Sequence, residues 1–485
     1  MAASRSLLHR PAVEIIHAVA SGEMSAADIV RAHLDQIDRL EPRLNAFVDV
    51  RGEAAMAEAR AQDDAAARGT GRGPLGGLPV TVKSAIEVAG LRCETGSPSR
   101  KDVVATADAA VVARLRAAGA IVLGTTNVAE MLMGYESDNP LHGRTSNPWG
   151  LDLTPGGSSG GESAAIAAGC SAGGIGSDGG GSIRVPAPFT GICGLKPTPG
   201  RIPGTGHQPA CLGPFCLIGV VGPMARTVRD VYELFRAIAG WEAGDPLSAP
   251  LPIVPLEQAL TRGASGGSAG SAGSSIRIGF FEDDGRTMVT AETRAAVRAA
   301  ADAAARAGHR VEAFRPDGLD KARQLWNIFF AEVGLLLLGE TLEGAERGLP
   351  ILKAFLKGDS ALPPLTSAGF IHAWIDRDEV RANLLRQMET YRVLICPVAS
   401  IPAFRHGERT WTVEGTEVEY LDAMTYTHWF NILGNPAVVV PVGRSPEGLP
   451  IGVQVVGRPF EEEVVLAVAE QIERAIGGYV KPPIS

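Results

Sequence analysis

The stretch from Thr154 to Pro186 carries the most informative pattern in the chain, TPGGSSGGESAAIAAGCSAGGIGSDGGGSIRVP. Small residues dominate it, and 162–168 is predicted to form a helix that can approach a sheet closely because its side chains are short. Glycine-rich turns precede and follow this helix, and both contain serine: Ser158 and Ser159 in the first, Ser182 at the end of the second. The stretch therefore predicts closely packed structure with serines held in two tight turns.

Strands and helices alternate on both sides of this stretch. The apolar run 78–82 predicts a short buried strand that ends at Lys83, and a helix over 109–118 and a strand over 120–124 follow it. Further strands are predicted at 276–281, 310–314, 393–396, 437–440 and 452–456. Further helices are predicted at 291–307 and 462–475. Strand, helix and strand in succession indicate an α/β fold, with a mixed, mostly parallel central sheet flanked by helices.

We predict one domain over residues 1–485, with helices in 1–60 and a core in 61–240 that contains the glycine-rich stretch. The segment 262–275 reads RGASGGSAGSAGSS, a composition typical of flexible linkers. Because strands and helices alternate before and after it, we place this segment in a surface loop within the domain.

Composition narrows the class of protein. With 45% hydrophobic and 20% charged residues the chain is globular, and a net charge of −9 argues against nucleic acid or anionic membrane as the main partner. The six cysteines include no Cys-x-x-Cys pair, and the nine histidines include no closely spaced ligand pair, so neither a metal nor another cofactor is expected. Polar residues interrupt the N-terminal apolar run, and no stretch is suited to span a membrane, so a cytoplasmic protein is predicted.

Other motifs fit the glycine-rich stretch less well. GIGSDG at 174–179 matches a dinucleotide fingerprint, but Pro186 and Pro188 prevent the helix that this fingerprint needs. GGSSG at 156–160 matches the nucleophile turn of esterases, although no strand is predicted before it. The other two members of an esterase triad would be Asp422 and His428, which follow the serine in the order Asp then His. An esterase therefore stays open as an alternative.

Lys83 has an unusual position for a lysine, because it ends the apolar run LPVTV. A lysine at the end of a strand commonly extends its ammonium group into water. If the side chain is buried instead, its pKa falls and the neutral amine can act as a base.

Several dispersed segments together resemble the amidase signature family. They are Lys83, TPGGSSGG at 154–161 and SDGGGSIRVPAPFTGICGLKPT at 177–198. The intervals of 75 residues from Lys83 to Ser158 and of 24 residues from Ser158 to Ser182 also agree with that family. The resemblance is dense over roughly 60–240 and implies the family's single α/β domain.

The resemblance implies a Ser–Ser–Lys triad. Ser182 corresponds to the nucleophile, Lys83 to the base, and Ser158 to the serine that bridges them on a cis peptide bond. Of the two adjacent serines, one is expected to relay protons and the other, Ser159, to cap the helix near Glu162.

The second glycine turn corresponds to the oxyanion site of the family. The backbone N–H groups of Gly179, Gly180 and Gly181 are expected to bind the oxyanion together with that of Ser182. The family often has Ile at position 179, so glycine there is expected to add flexibility and room. Asp178 and Arg184 are expected to brace the turn as an ion pair.

The resemblance implies hydrolysis of amide C–N bonds, in a branch similar to fatty-acid-amide hydrolases, aryl acylamidases or urethanases. Leu132 lies on the segment that faces the acyl site in relatives, and apolar residues in 325–338 could add to this wall. We therefore expect hydrophobic or aryl amides, and by extension carbamates, as small-molecule substrates. A role within a larger amidotransferase complex is a further alternative, and the homodimer common in the family stays open.

Overall fold

A mixed sheet organises the part of the chain that the computed structural model describes, residues 7–261, 275–338 and 365–484. Eleven strands of these residues belong to the sheet, and two short hairpins lie outside it. The strands are β1 Phe47–Val50, β2 Pro79–Lys83, β3 Ile121–Thr126, β4 Asp138–Asn139, β5 Gly143–Arg144, β6 Gly173–Asp178, β7 Cys193–Lys196, β8 Val220–Ala225, β9 Arg277–Phe280, β10 Arg310–Ala313, β11 Val393–Pro397, β12 Thr410–Val413, β13 Thr416–Glu419, β14 Ala437–Arg444 and β15 Pro450–Gly457.

Helices cover the sheet. They are α1 Ala12–Ala20, α2 Ala26–Leu44, α3 Gly52–Ala67, α4 Ala110–Ala117, α5 Gly160–Ala167, α6 Pro186–Thr190, α7 Val228–Ile238, α8 Leu256–Ala259, α9 Ala291–Arg306, α10 Leu319–Trp326, α11 Val333–Leu338, α12 Ser367–Thr390, α13 Tyr420–Ala423, α14 Thr425–Ile432 and α15 Glu462–Ile476. A π-helical turn, Asn327–Glu332, joins α10 to α11. No helix of the described ranges is both long and apolar enough to cross a membrane.

The strand order is β1-β3-β2-β6-β8-β7-β14-β15-β11-β9-β10. The α/β class and the mixed sheet are confirmed, but the parallel pairings lie towards the two sides, in β3-β2-β6 and in β11-β9-β10. Every pairing from β6 to β11 through the centre is antiparallel, so the prediction of a mostly parallel sheet is wrong there. One reason is the tight turn 445–449, which joins β14 to β15 as a hairpin and so fixes their opposite directions.

The predicted helices and strands lie close to the observed ones. The helical N-terminal part contains α1, α2 and α3. The Gly/Ser segment falls almost wholly outside the described residues, since 262–274 are not among them, and its character as a loop stays a prediction.

Sheet topology explains where the site forms. Strands β2 and β6 are adjacent and parallel, so their carboxyl ends, Lys83 and Asp178, lie at the same edge of the sheet. Helix α5 lies against β2, β3 and β6, and all eight of its residues are buried, as short side chains permit. The turn before α5 carries Ser158, and the turn after β6 carries Ser182, which brings both serines to this edge.

Candidate active site

Lys83 and Ser158 form the centre of the site. The Lys83 Nζ atom lies 2.7 Å from Ser158 Oγ, and both residues are fully buried. Ser177 contributes two further contacts to Nζ, at 3.0 Å from its Oγ and 3.4 Å from its carbonyl oxygen. Burial lowers the pKa of Lys83 to about 7, although the negative charge of Asp178 acts in the opposite direction. At neutral pH a large share of this lysine is therefore the uncharged amine.

The backbone around Ser158 is tightly packed. The peptide bond from Gly157 to Ser158 is cis, as the resemblance implies. A Cβ atom on Gly157 would lie 2.7 Å from the backbone nitrogen of Glu136, so only glycine fits there. Contrary to expectation, the Ser159 side chain does not cap α5, because its Oγ lies near Ser177 instead. The Gly160 N–H at the start of the helix donates to Ser137 Oγ at 2.8 Å.

Asp178 organises the glycine turn, residues 179–181. Its carboxylate accepts the N–H groups of Gly181 at 2.7 Å and Ile183 at 3.1 Å, and it forms a fully buried ion pair with Arg184 at 3.0 Å. Burial opposes ionisation of Asp178, but the adjacent Arg184 guanidinium holds its pKa well below the usual range. The expected ion pair is thus present.

Two expectations for the glycine turn need correction. The Gly181 N–H is occupied by Asp178, so the N–H groups of Gly179, Gly180 and Ser182 are those without an acceptor among the described residues. The space beside Gly179 is not open either, because a Cβ atom there would lie 3.1 Å from the ring of Phe330. Glycine at 179 therefore makes space for an aromatic ring that the chain itself supplies.

A pocket lies over the serines. Ser158 and Ser182 both line it, and Ser182 retains 9% exposure. Five large apolar side chains form part of its wall: Met131, Leu132, Met133, Phe215 and Phe330. Leu132 thus lies where the sequence placed it, and Phe330 comes from the apolar segment 325–338. No cluster of His, Cys, Asp and Glu suited to hold a metal ion occurs in the described ranges.

Tyr135, Thr427 and His207 were not predicted as part of the site, and neither was the hydrogen bond made by Trp326, which lies in the apolar segment 325–338. Trp326 Nε1 donates to the Gly179 carbonyl at 3.0 Å, while the hydroxyls of Tyr135 and Thr427 each lie 2.7 Å from the Gly180 carbonyl. His207 lines the pocket with its Nδ1 2.9 Å from the Pro209 carbonyl and its Nε2 without a described partner. No local motif marks these positions, because they lie far from the glycine turn in sequence.

The partner pair of the esterase alternative makes other contacts. His428 Nε2 lies 2.6 Å from the Tyr135 hydroxyl, and Asp422 forms an ion pair with Arg323. Neither residue hydrogen-bonds to Ser158, and no strand leads into that serine. The arrangement of a Ser–His–Asp triad is therefore not found at this position.

The sequence model of the amidase family, described as "Amidase", matches residues 28–466. Together with the mixed α/β sheet, this match shows the class of protein. The chain belongs to the amidase signature family of enzymes.

Similar proteins align with nearly the full length of this chain. Indoleacetamide hydrolase of Bradyrhizobium diazoefficiens is 33% identical, over 96% of this chain and 86% of the relative. The A subunit of the glutamyl-tRNA(Gln) amidotransferase of Roseiflexus castenholzii is 34% identical, over 96% of this chain and 95% of the relative. Among solved structures, a bacterial aryl acylamidase of the amidase signature enzymes has a TM-score of 0.83 at 26% identity and covers 96% of both chains.

Proposed function

We propose that this chain hydrolyses the C–N bond of hydrophobic amides through an acyl-enzyme formed on Ser182. The observation that carries this proposal is the 2.7 Å contact between Lys83 Nζ and Ser158 Oγ, which are fully buried, beside a pocket that Ser158 and Ser182 line. A buried amine in contact with the Ser158 hydroxyl can serve as the base of a relay that activates a serine nucleophile.

The contacts of Lys83 support its role as the base. A neutral amine has two N–H donors and one lone pair, and the two oxygens of Ser177 can accept both donors. The lone pair is then free to accept the proton of Ser158 Oγ–H. As that proton moves to Lys83, Ser158 takes the proton of Ser182, and the Ser182 oxygen attacks the amide carbonyl carbon.

The remaining steps use the same groups. The N–H groups of the glycine turn and Ser182 stabilise the negative oxygen of the tetrahedral intermediate. Ser158 returns a proton to the leaving nitrogen as the C–N bond breaks, and Lys83 returns the proton to Ser158. Water then adds to the ester on Ser182 by the same relay, which releases the carboxylic acid and restores the serine.

The walls of the pocket support bulky, uncharged substrates. Two methionines and two phenylalanines are among the residues that line the pocket, and such side chains favour apolar acyl or aryl groups. The resemblance to indoleacetamide hydrolase and to an aryl acylamidase agrees with this preference. Aryl carbamates present a similar carbonyl group, so urethane hydrolysis is proposed as an extension. Cytoplasmic location and a homodimeric state stay predictions from the sequence.

The test is to purify the chain alone and to compare kcat/KM for an anilide, an aryl carbamate and acetamide, with Ser182→Ala as the inactive control. We expect the anilide to be preferred by at least about 100-fold over acetamide, since each buried methylene contributes roughly 0.8 kcal/mol. Hydrolysis that persists in Ser182→Ala would refute the assigned nucleophile. Activity that requires aminoacyl-tRNA and further protein partners would instead favour the amidotransferase alternative, for which the similarity to the Roseiflexus castenholzii amidotransferase chain is the supporting observation.

A further inference from the structure

We propose that Trp326 is a positioning residue that sets the orientation of the oxyanion-binding N–H groups, an inference that rests on the proposed function. Its indole Nε1 donates to the Gly179 carbonyl at 3.0 Å, and the side chain is 1% exposed. The next carbonyl, that of Gly180, accepts hydrogen bonds from the hydroxyls of Tyr135 and Thr427, each at 2.7 Å. Side chains from distant parts of the chain thus hold two successive carbonyls of the turn.

Because a peptide group is planar, a hydrogen bond that fixes its carbonyl also fixes the direction of its N–H. The bond from Gly179 to Gly180 is trans, because the cis bonds of the described residues lie at 157–158 and 208–209. In a trans peptide the N–H points opposite to the C=O. Binding of the Gly179 carbonyl by Trp326 therefore directs the Gly180 N–H away from the indole, and this N–H has no acceptor among the described residues.

A column of stacked rings fixes Trp326 itself. The His428 ring lies 3.7 Å from the Trp326 ring, centroid to centroid, and is inclined by 5° to it. Phe330 stacks on Trp326 at 4.5 Å and 13°. Burial lowers the pKa of His428 well below its usual value, so the ring is neutral, and its Nε2 lies 2.6 Å from the Tyr135 hydroxyl. The tautomer with hydrogen on Nε2 then completes a chain of donors from His428 through Tyr135 to the Gly180 carbonyl.

The glycines fit this column closely. A Cβ atom on Gly180 would lie 2.5 Å from Trp326 Cζ2, and one on Gly181 would lie 2.4 Å from Thr427 Oγ1. The turn therefore packs directly against the Trp326 ring and the Thr427 side chain. Phe330 belongs to the same column and lines the pocket, so the pocket wall that meets the substrate also supports the oxyanion turn.

The experiment removes the indole N–H and keeps a smaller aromatic ring at position 326. Trp326→Phe loses the donor to the Gly179 carbonyl, and Trp429→Phe is the matched control because Trp429 is equally buried while its Nε1 has no partner among the described residues. We expect kcat of Trp326→Phe to fall by about 10- to 100-fold with KM changed less than about three-fold, as for weakened oxyanion stabilisation. The control variant should keep both constants within about two-fold of wild type.

A second measurement separates positioning from a general structural role. An aryl trifluoromethyl ketone adds to a serine nucleophile and forms an oxyanion, whereas the carboxylate product binds without one. Affinity for the ketone should fall in Trp326→Phe in parallel with kcat/KM, while affinity for the product stays unchanged. Tyr135→Phe removes one of the two donors to the Gly180 carbonyl, whose peptide N–H, that of Gly181, binds Asp178. It should therefore show the same pattern more weakly, and it serves if Trp326→Phe does not fold.

Two outcomes would overturn the inference. One is wild-type kcat and ketone affinity in both Trp326→Phe and Tyr135→Phe; the other is an equal loss of ketone and product affinity. Either result leaves the proposed function intact as long as Ser182→Ala is inactive. Retained activity in Ser182→Ala refutes the proposed function itself, so the two failures are distinguishable.

Discussion

Lys83 and Ser158 are separated by 75 positions in sequence, yet the amine of one lies 2.7 Å from the hydroxyl of the other, with no solvent exposure at either residue. The lysine lies at the end of strand β2, at the edge of the sheet, and the serine lies in the turn before helix α5. Because burial sets the pKa of Lys83 near 7, this single contact makes the proposed activity sensitive to pH in the neutral range.

The first prediction concerns that pH dependence. Below pH 7 the Lys83 amine is increasingly protonated and cannot accept the proton of Ser158, so kcat/KM should rise about ten-fold per pH unit and level off above about pH 7. Lys83→Arg keeps a charged group at every accessible pH and should lose at least about 100-fold in kcat. Pre-steady-state hydrolysis of an anilide from pH 5 to 9 measures both effects.

Lys196 offers the control for this experiment. Burial also lowers its pKa to about 7, but its Nζ donates to the Pro197 carbonyl at 2.8 Å, and it is not among the residues that line the pocket. Lys196→Met should leave the midpoint of the pH profile unchanged. If the midpoint moves in Lys196→Met but not in Lys83 variants, the group that titrates is Lys196, and the assignment to Lys83 is wrong.

The second prediction separates the two adjacent serines. Ser158→Ala removes the hydroxyl that contacts Lys83 and should lower kcat by about 100-fold or more. Ser159→Ala removes only contacts with Ser177 and should cost less than about ten-fold. A fluorophosphonate probe followed by peptide mass spectrometry should modify Ser182, whereas modification of Ser158 would support the esterase alternative.

Features of the site that depend on residues close together in the chain could be predicted from the sequence. The apolar run before Lys83 predicted a buried strand that ends at this lysine, although it left open whether the lysine itself is buried. The ion pair expected between Asp178 and Arg184 is also present in the structure. Both inferences rest on short-range regularities: the length of a buried strand, and the reach of an arginine across a turn.

Contacts that depend on distant segments could not be predicted in this way. Segment 325–338 was expected only to add apolar side chains to the pocket wall. Nothing in it indicates that Trp326 hydrogen-bonds to the glycine turn or that the Phe330 ring packs against Gly179. Likewise, three successive glycines do not reveal that Asp178 occupies the N–H of Gly181. The antiparallel centre of the sheet was missed for the same reason, since strand direction there depends on which distant strands pair.

The third prediction concerns stability. Asp178→Asn leaves the buried guanidinium of Arg184 without its counter-ion and should lower the free energy of unfolding by about 3–5 kcal/mol. The Asp178 pKa lies below its value of about 4 in unfolded chains, so this carboxylate stabilises the fold above pH 4 and loses that contribution as the pH falls further. Urea unfolding at pH 7, pH 4 and pH 2 should therefore show a smaller loss of stability below pH 4 in the variant than in the wild type.

An exposed ion pair provides the comparison for Asp178. Asp152 pairs with Arg405 at the surface, where both side chains are more than half exposed. Asp152→Asn should change the free energy of unfolding by less than about 1 kcal/mol. Equal losses in the two variants would contradict the importance assigned to the buried pair.

The last prediction tests the fit between Gly179 and Phe330. A Cβ atom at 179 would lie 3.1 Å from the ring, so Gly179→Ile should displace Phe330 and lower kcat/KM for an anilide by at least about ten-fold. Phe330→Ala removes part of the pocket wall and should mainly raise KM for aryl substrates. In the double variant the isoleucine fills the space that the ring leaves. The loss of activation free energy in this variant should therefore be smaller than the sum of the two single losses, by a coupling energy of about 1–3 kcal/mol. Strictly multiplicative effects in this double-mutant cycle would show that the two positions do not compete for the same space.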